Sequence, residues 1–474
     1  MTRILSSLSP ELLLTILQSF TSPKDLYSAI EASAQFHRVF TAYQHSITSA
    51  ILKQAIPVEI EGEFVLAYRA QEIWGHVPEG NDRPRSCVLK LDLDALKAKT
   101  ASILQQALTG YPERLHSLVS DHDVLPKLWN FYRKFEYFIL RYATSASRGL
   151  SAVTTNTPPL SAAEETRFKR AFFRCEIYTC LSQLSQVTLQ RDRGLGPSRS
   201  PAQQFLRTLP PSEIEQVYCV LQCYRTIVES IFDKMEDDFV SAVREKQEAY
   251  CPAESKRRWQ GPVDRFLEYE NIEWYEDSLR SLNRATHNDY LVSRGMRAMW
   301  KLVHHPYTTV RMMIIDTLWT ADRHASIVFI VRQLEFHEGH SPHTGSDPLD
   351  STFAWSWSKP KYRSWIPIGL IGLPENRELR NHGYVFWDQS RLEQIRCFQA
   401  ARGIVESPYE GDKSYTEYEG RPGVAARLLD LTVDEPVVRM IADEIRGKVQ
   451  PNDNTADNED GDSAPYAIRW RDSL

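Results

Sequence analysis

No stretch of this chain stays apolar for long. A membrane-crossing helix needs about 20 consecutive apolar residues. Runs such as Ile327–Val331 have instead the length of a buried core element. Neither sign of charge dominates. The 56 Lys and Arg residues against 62 Asp and Glu leave a net charge of −6. That excludes the broad basic surface of a general nucleic-acid binder. Cysteine is sparse and scattered. The seven thiols include no C-x-x-C pair, which excludes the common spacing of a structural zinc site. Cys219 and Cys223 lie one helical turn apart, as, loosely, do Cys175 and Cys180. An odd, dispersed set reads as reduced, buried thiols. Met1–Leu14 has only a short apolar patch, broken by Ser6, Ser7, Ser9 and Glu11, so no signal peptide is expected. The expected location is cytoplasmic, nuclear or both, without nucleic acid or membrane as partner.

The signatures of common enzyme chemistries are missing too. There is no G-x-x-x-x-G-K-[ST] phosphate loop and no G-x-S-x-G nucleophile elbow. Gly194-Leu195-Gly196 is followed by Pro197 with no strand before it, which fails the context of a dinucleotide fold. His337-Glu338-Gly339-His340 and His343 do not have H-E-x-x-H spacing, and the segment around them reads as a solvated loop. His304-His305 before Pro306 reads as a helix end, where imidazole meets exposed carbonyls. Lys256-Arg257-Arg258-Trp259 sits among Asp264, Glu268 and Glu270 and reads as mixed surface. No repeat of twenty to fifty residues is present. No catalytic residue, metal ligand or cofactor is expected.

What the chain does have is helix grammar, most densely in Leu5–Phe40. Ser9 is a good N-cap, Pro10 suits the first helical position, and Glu11 complements the helix dipole. Ser22, Pro23 and Asp25 repeat the pattern. Leu12, Leu13, Ile16, Leu17 and Phe20 cover too wide an arc for an ordinary surface helix. So short a segment cannot bury them alone.

These residues resemble the F-box, the adaptor-binding module of cullin-type ubiquitin ligases. Leu8 and Glu11 open the pattern, and Leu12, Leu13, Ile16 and Leu17 supply its first helix. Asp25-Leu26 is its acidic-leucine pair, Ile30 continues its second helix, and Ser33 with Phe36 closes it. Ser9 stands where the pattern has Pro, which follows as Pro10. The resemblance covers roughly a tenth of the chain, well below ordinary domain length. It implies that Leu8, Pro10, Leu12, Leu13, Ile16, Leu17, Leu26 and Ile30 bind a Skp-type adaptor and, through it, a cullin. In style the chain is similar to F-box proteins of filamentous fungi.

The rest reads as a large α-helical body. Helices are expected over 40–56, ended by Pro57, and over 63–74, 91–108 and 127–142, with Pro126 interrupting the stretch before the last. Residues 77–85 and 145–161 read as loops. Ser161 with Glu164, and Ser212 with Glu215, have capping-box spacing. The first opens a helix to about Leu189 that buries Phe168, Phe172, Ile177, Leu181 and Leu184. The second opens one with Ile214, Val217, Leu221, Tyr224, Val228, Ile231 and Met235 on its core face. Further helical patterns cover 262–282, 289–303, 310–319, 322–334, 390–401, 421–431 and 434–445. Ser351–Asp388 is dense in aromatics, with Tyr384–Trp387 a candidate strand.

The expected fold class is therefore mainly α: a three-helix module over 1–56, a helical body over 57–449 with a small aromatic-rich irregular or strand insertion, and an acidic tail over 450–474 too poor in apolar residues to fold. The expected function is that of a non-catalytic substrate-recognition subunit of a Skp–cullin–F-box ubiquitin ligase, acting on a protein substrate. Trp355, Trp357 and Tyr362 are candidate substrate anchors, rimmed by Lys359, Lys361 and Arg363. The competing reading puts those rings in the core. Two alternatives stay open. One is an adaptor-binding protein without a ligase role. The other is a helical enzyme with its site in the C-terminal third.

Overall fold

The computed structural model describes residues 8–75, 93–111, 114–150, 159–189, 200–250, 288–307, 309–310, 314, 380–388 and 390–391. Among them every regular element is helical and none is a strand. The chain divides into two compact units, residues 1–235 with 280–421 and residues 236–279 with 422–474. In the second unit only 236–250 is described, as helix.

The first three helices form as their caps dictate. α1 (Pro10–Gln18) starts at Ser9, whose side chain accepts from the Leu12 amide. α2 (Pro23–Ala32) starts at Ser22, which accepts from the Lys24 and Asp25 amides. Ser33 ends α2 and, accepting from the Phe36 amide, also begins α3 (Ala34–Ala55). α3 kinks at Tyr43 (φ −125°, ψ 26°), and that residue is exposed rather than on the buried face with Phe40, Ile47, Ile51 and Leu52. α1 and α2 both pack on α3.

A short 3-10 turn, Val58–Ile60, leads into α4 (Glu61–Gly75), α5 (Leu93–Leu108), the short α6 (Leu115–Val119) and α7 (Leu125–Leu150). Pro126 does not interrupt α7 but lies in its first turn, where a missing N–H breaks no helical hydrogen bond. The helix continues to Leu150, past the start of the expected loop. α8 (Ala162–Leu189) follows, then α9 (Pro201–Leu206), α10 (Pro211–Tyr250) and α11 (Gly295–His304).

α8 is the axis of the first unit and packs on α4, α5, α7, α9 and α11. Phe168, Phe172, Phe173, Cys175, Ile177, Tyr178 and Leu181 are all buried, so it is apolar around most of its circumference, as a central helix must be. Rings tile its contacts edge to face: Phe173 lies 5.2 Å from Phe64 of α4 and 5.0 Å from Phe135 of α7. Edge-to-face pairs add to plain burial because ring edges and faces carry opposite partial charge. The Ser161–Glu164 capping box is present in both directions, with the Ser161 amide donating to Glu164 Oε2 at 2.9 Å and the Glu164 amide to Ser161 Oγ at 3.1 Å.

The second expected capping box does not form. α10 begins at Pro211, and Glu215 accepts instead from Arg380 Nε at 2.7 Å and Tyr384 Oη at 3.0 Å. Residues 380–388 and 390–391 lie on α7, α8 and α10. Tyr384–Phe386 is a 3-10 turn and not the expected strand, because Gly383 takes a left-handed conformation (φ 58°) that turns the chain back. Phe386 then stacks on Phe168 at 4.2 Å and Trp387 meets the same ring at 5.3 Å. Arg167 ties the segment down, donating from Nε to the Phe386 carbonyl at 2.8 Å and pairing with Asp388 at 2.5 Å.

The expected helix over 289–303 is two pieces, 288–293 and α11, broken at Gly295 (φ 74°). His304 ends α11, its Nδ1 3.1 Å from the Trp300 carbonyl, as the His-His-Pro sequence implied. The core stripe of α10 is buried at Ile214, Val217, Leu221, Tyr224, Val228 and Met235 and half-buried at Ile231. The loop over 77–85, the helical patterns over 262–282, 322–334, 421–431 and 434–445, and the tail 450–474 lie outside the described residues.

Candidate functional site

α1 is divided lengthwise. Leu13 and Leu17, four residues apart, are buried against α3, and Leu26 and Ile30 of α2 complete the same core. Leu12 and Ile16, also four apart, form a second apolar pair about 100° round the helix from the first, 54% and 37% exposed. Side chains at that spacing are neighbours on a helix surface. Pro10 and Glu11 are exposed beside them, and Leu8 is half-buried. Hydrogen bonding by Ser9 and the backbone holds the Glu11 carboxyl below its ordinary value, keeping a negative charge at the helix start.

Of the eight residues expected to contact an adaptor, then, Leu8, Pro10, Leu12 and Ile16 retain accessible surface. Leu13, Leu17, Leu26 and Ile30 are interior to the three-helix module, where they hold α1 in place. The wide apolar arc was visible in the sequence. Which half faces inward depends on where α3 lies, and no residue of α1 records that.

The module is fixed to α7. Trp129 Nε1 donates to Tyr27 Oη at 2.9 Å, and the Arg133 guanidinium stands 4.8 Å from the centre of the Tyr27 ring. The Lys24 amide donates to Glu136 at 3.3 Å. Lys169 of α8 donates to the Ala55 carbonyl at 2.6 Å, closing the end of α3. These contacts were not legible in the sequence. Trp129 and Glu136 read only as parts of an aromatic-rich helix.

Among the other described residues, the main cluster of buried charge joins helices to one another. Arg174 pairs with Glu63 at 3.1 Å and also with Glu213, and Arg170 lies 3.7 Å from Glu63. Two buried cations thus face two buried anions, which is the arrangement that makes burying charge tolerable. Burial pushes the thiols of Cys175, Cys180 and Cys219 well up, and that of Cys223 to about 12. Such thiols are poor nucleophiles. Among the described residues no group of three or more His, Cys, Asp or Glu side chains could hold a metal ion. No described helix is long and apolar enough to cross a membrane. Trp355, Trp357, Tyr362 and the histidines 337, 340 and 343 lie outside the described residues.

What α1 offers is a small apolar ridge, Leu12 and Ile16, on a firmly seated helix. It can dock a partner but cannot perform a reaction. No protein-family model, no curated protein and no solved structure matches this chain.

Proposed function

We propose that this chain is a substrate-recognition subunit of a Skp–cullin–F-box ubiquitin ligase. The outer face of α1 binds the Skp-type adaptor, and the helical body holds the protein substrate. The chain itself does no chemistry. It raises the effective concentration of substrate near the ubiquitin-charged E2 carried by the cullin.

The observation that carries the reading is the division of α1. Its sequence follows the F-box order, and after Leu13 and Leu17 are spent on the core, Leu12 and Ile16 remain outside. An apolar pair left in water on a well-capped helix suits a docking surface better than a structural one. Covering what these two side chains still expose, 54% and 37%, is worth about 1.5–2.5 kcal/mol in all, a contribution an adaptor interface would use. Isolation of the full chain under native conditions tests the proposal: a Skp-type adaptor and a cullin should co-purify. Recovery of the chain without an adaptor, from cells that contain one, would contradict it. Recovery of the adaptor without a cullin would confine the role to adaptor binding.

A further inference from the structure

Where α7 meets α11, rings touch and cations surround them. Tyr137 of α7 lies 5.4 Å from Trp300 and 4.7 Å from His304, centre to centre, and those two α11 rings stack on each other at 3.6 Å. Lys134 and Arg141 stand one turn before and one turn after Tyr137, on the same side of α7. On α11 the buried residues Met296, Met299 and Leu302 take the inner face, which leaves Arg297, Trp300, Lys301 and His304 together on the outer one. Arg141 is exposed, and Lys134, Arg297, Trp300, Lys301 and His304 are half-buried.

The two helices bring almost no acid to this crossing. Glu136 is the one acid of α7, and it is buried and bonded by the Lys24 amide of α2. No Asp or Glu lies between Asp289 and Asp316. Glu176 of α8 acts on Lys134 from inside, but burial pushes that carboxyl up to about 7, so it is an incomplete countercharge. Among the described residues no carboxylate pairs with Arg141, which donates to the Tyr137 hydroxyl at 3.0 Å. Burial, and then the charges of Arg141, His305 and Lys134, hold the His304 imidazole below its ordinary value. The C-terminus of α11 offers roughly half a negative charge, too little to balance Lys134, Arg141, Arg297 and Lys301 together.

We propose that this crossing is an interaction surface for an acidic polypeptide segment, its carboxylates meeting the cations and its side-chain stems lying on the rings. Charge complementarity names the partner. The planar fork of Arg141 suits a carboxylate, and Trp, Tyr and Arg are the residues that concentrate at the centres of interfaces. Size decides for protein over nucleic acid. Lys134 to Arg141 spans about 10 Å of helix, and the chain as a whole carries a net charge of −6, which repels a long polyanion. A few carboxylates fit so small a basic island. That the segment belongs to a ligase substrate rests on the function proposed above; the recognition of acid does not.

Fluorescence anisotropy of a labelled oligoglutamate peptide with the full chain, without adaptor, tests this. Binding should saturate at about 0.01 M ionic strength and weaken several-fold at about 0.15 M, as the Debye length falls from about 30 Å to about 8 Å. Arg141→Glu should weaken it about tenfold, since an attraction becomes a repulsion, whereas Arg141→Lys should keep most of it. Lys99→Glu makes the same change of net charge on α5 and should leave binding as it was. Arg141 and Lys99 are both exposed, so thermal unfolding of these variants should match that of the natural chain. No saturable binding, or equal weakening by Arg141→Glu and Lys99→Glu, would overturn the proposal. So would tighter binding of a single-stranded oligodeoxynucleotide of equal length. Because no adaptor is present, a failed adaptor interaction would leave these outcomes intact.

Discussion

Arg380→Met should destabilise the first unit by about 3–5 kcal/mol, the usual consequence of removing one partner of a buried ion pair. The guanidinium and the Glu215 carboxylate are both 2% exposed, with Nε 2.7 Å from Oε1 and Nη2 3.3 Å from Oε2. Arg380 also lies 4.2 Å from the centre of the Tyr218 ring. Methionine fills much of the same volume, so the main loss is electrostatic. Glu215 would keep the Tyr384 hydroxyl at 3.0 Å but no cation. Replacing Glu215 with Leu as well removes the stranded charge, and a matched apolar pair is commonly neutral or better. The double variant should therefore recover most of the loss, giving a coupling energy well above the additive expectation. Urea unfolding followed by near-ultraviolet circular dichroism at pH 7 would measure it, since Trp387 and the surrounding rings are rigidly held. A loss below about 0.5 kcal/mol for the single variant would refute the claim that residues 380–391 are built into the helical body.

The same logic gives narrower expectations. Gly295→Ala combines a left-handed backbone (φ 74°) with a new Cβ 2.9 Å from both Glu176 Oε2 and Thr179 Oγ1; it should cost at least 2 to about 4 kcal/mol in thermal or urea unfolding, and an unchanged transition would contradict the close approach of α11 to α8. Glu176, raised by burial from 4.5 to about 7 despite bonds from the Met296 amide and Gln71, holds a proton in the folded state that the unfolded chain loses. Its contribution is present below pH 4.5, is lost as pH rises to 7, and amounts to on the order of 3 kcal/mol. Glu176→Gln should flatten that part of the stability–pH curve, and a slope identical to that of the natural chain would count against it.

Local chemistry was legible and distant partners were not. Ser9-Pro10, Ser22-Pro23 and the Ser161–Glu164 box all start helices as read, because a cap involves groups within three residues of one another. Ser212–Glu215 has the same spacing and fails, because the helix already begins at Pro211 and Ser212 lies inside it, while Glu215 is engaged by Arg380, remote in sequence. Tyr384–Trp387 has the aromatic density of a strand, yet its rings serve a turn packed on Phe168. The apolar excess of α1 could be counted in the sequence. Its division into Leu13 and Leu17 inside and Leu12 and Ile16 outside could not, since that choice is made by α3. Nor did any local pattern single out Glu136, which is bonded by the Lys24 amide of α2.

The most direct test of the central claim is titration calorimetry of a purified Skp-type adaptor onto the full chain and onto its Leu12→Asp, Ile16→Asp variant. Both positions are exposed, so the variant should unfold with the natural chain. Leu17→Ala, at a fully buried site, should instead lose about 2–5 kcal/mol of stability. The account predicts a saturable interaction for the natural chain and at least about 100-fold weaker binding for the double variant, from the loss of two buried apolar contacts and the burial of new charge. Equal binding by a well-folded double variant, or no binding by the natural chain, would contradict it.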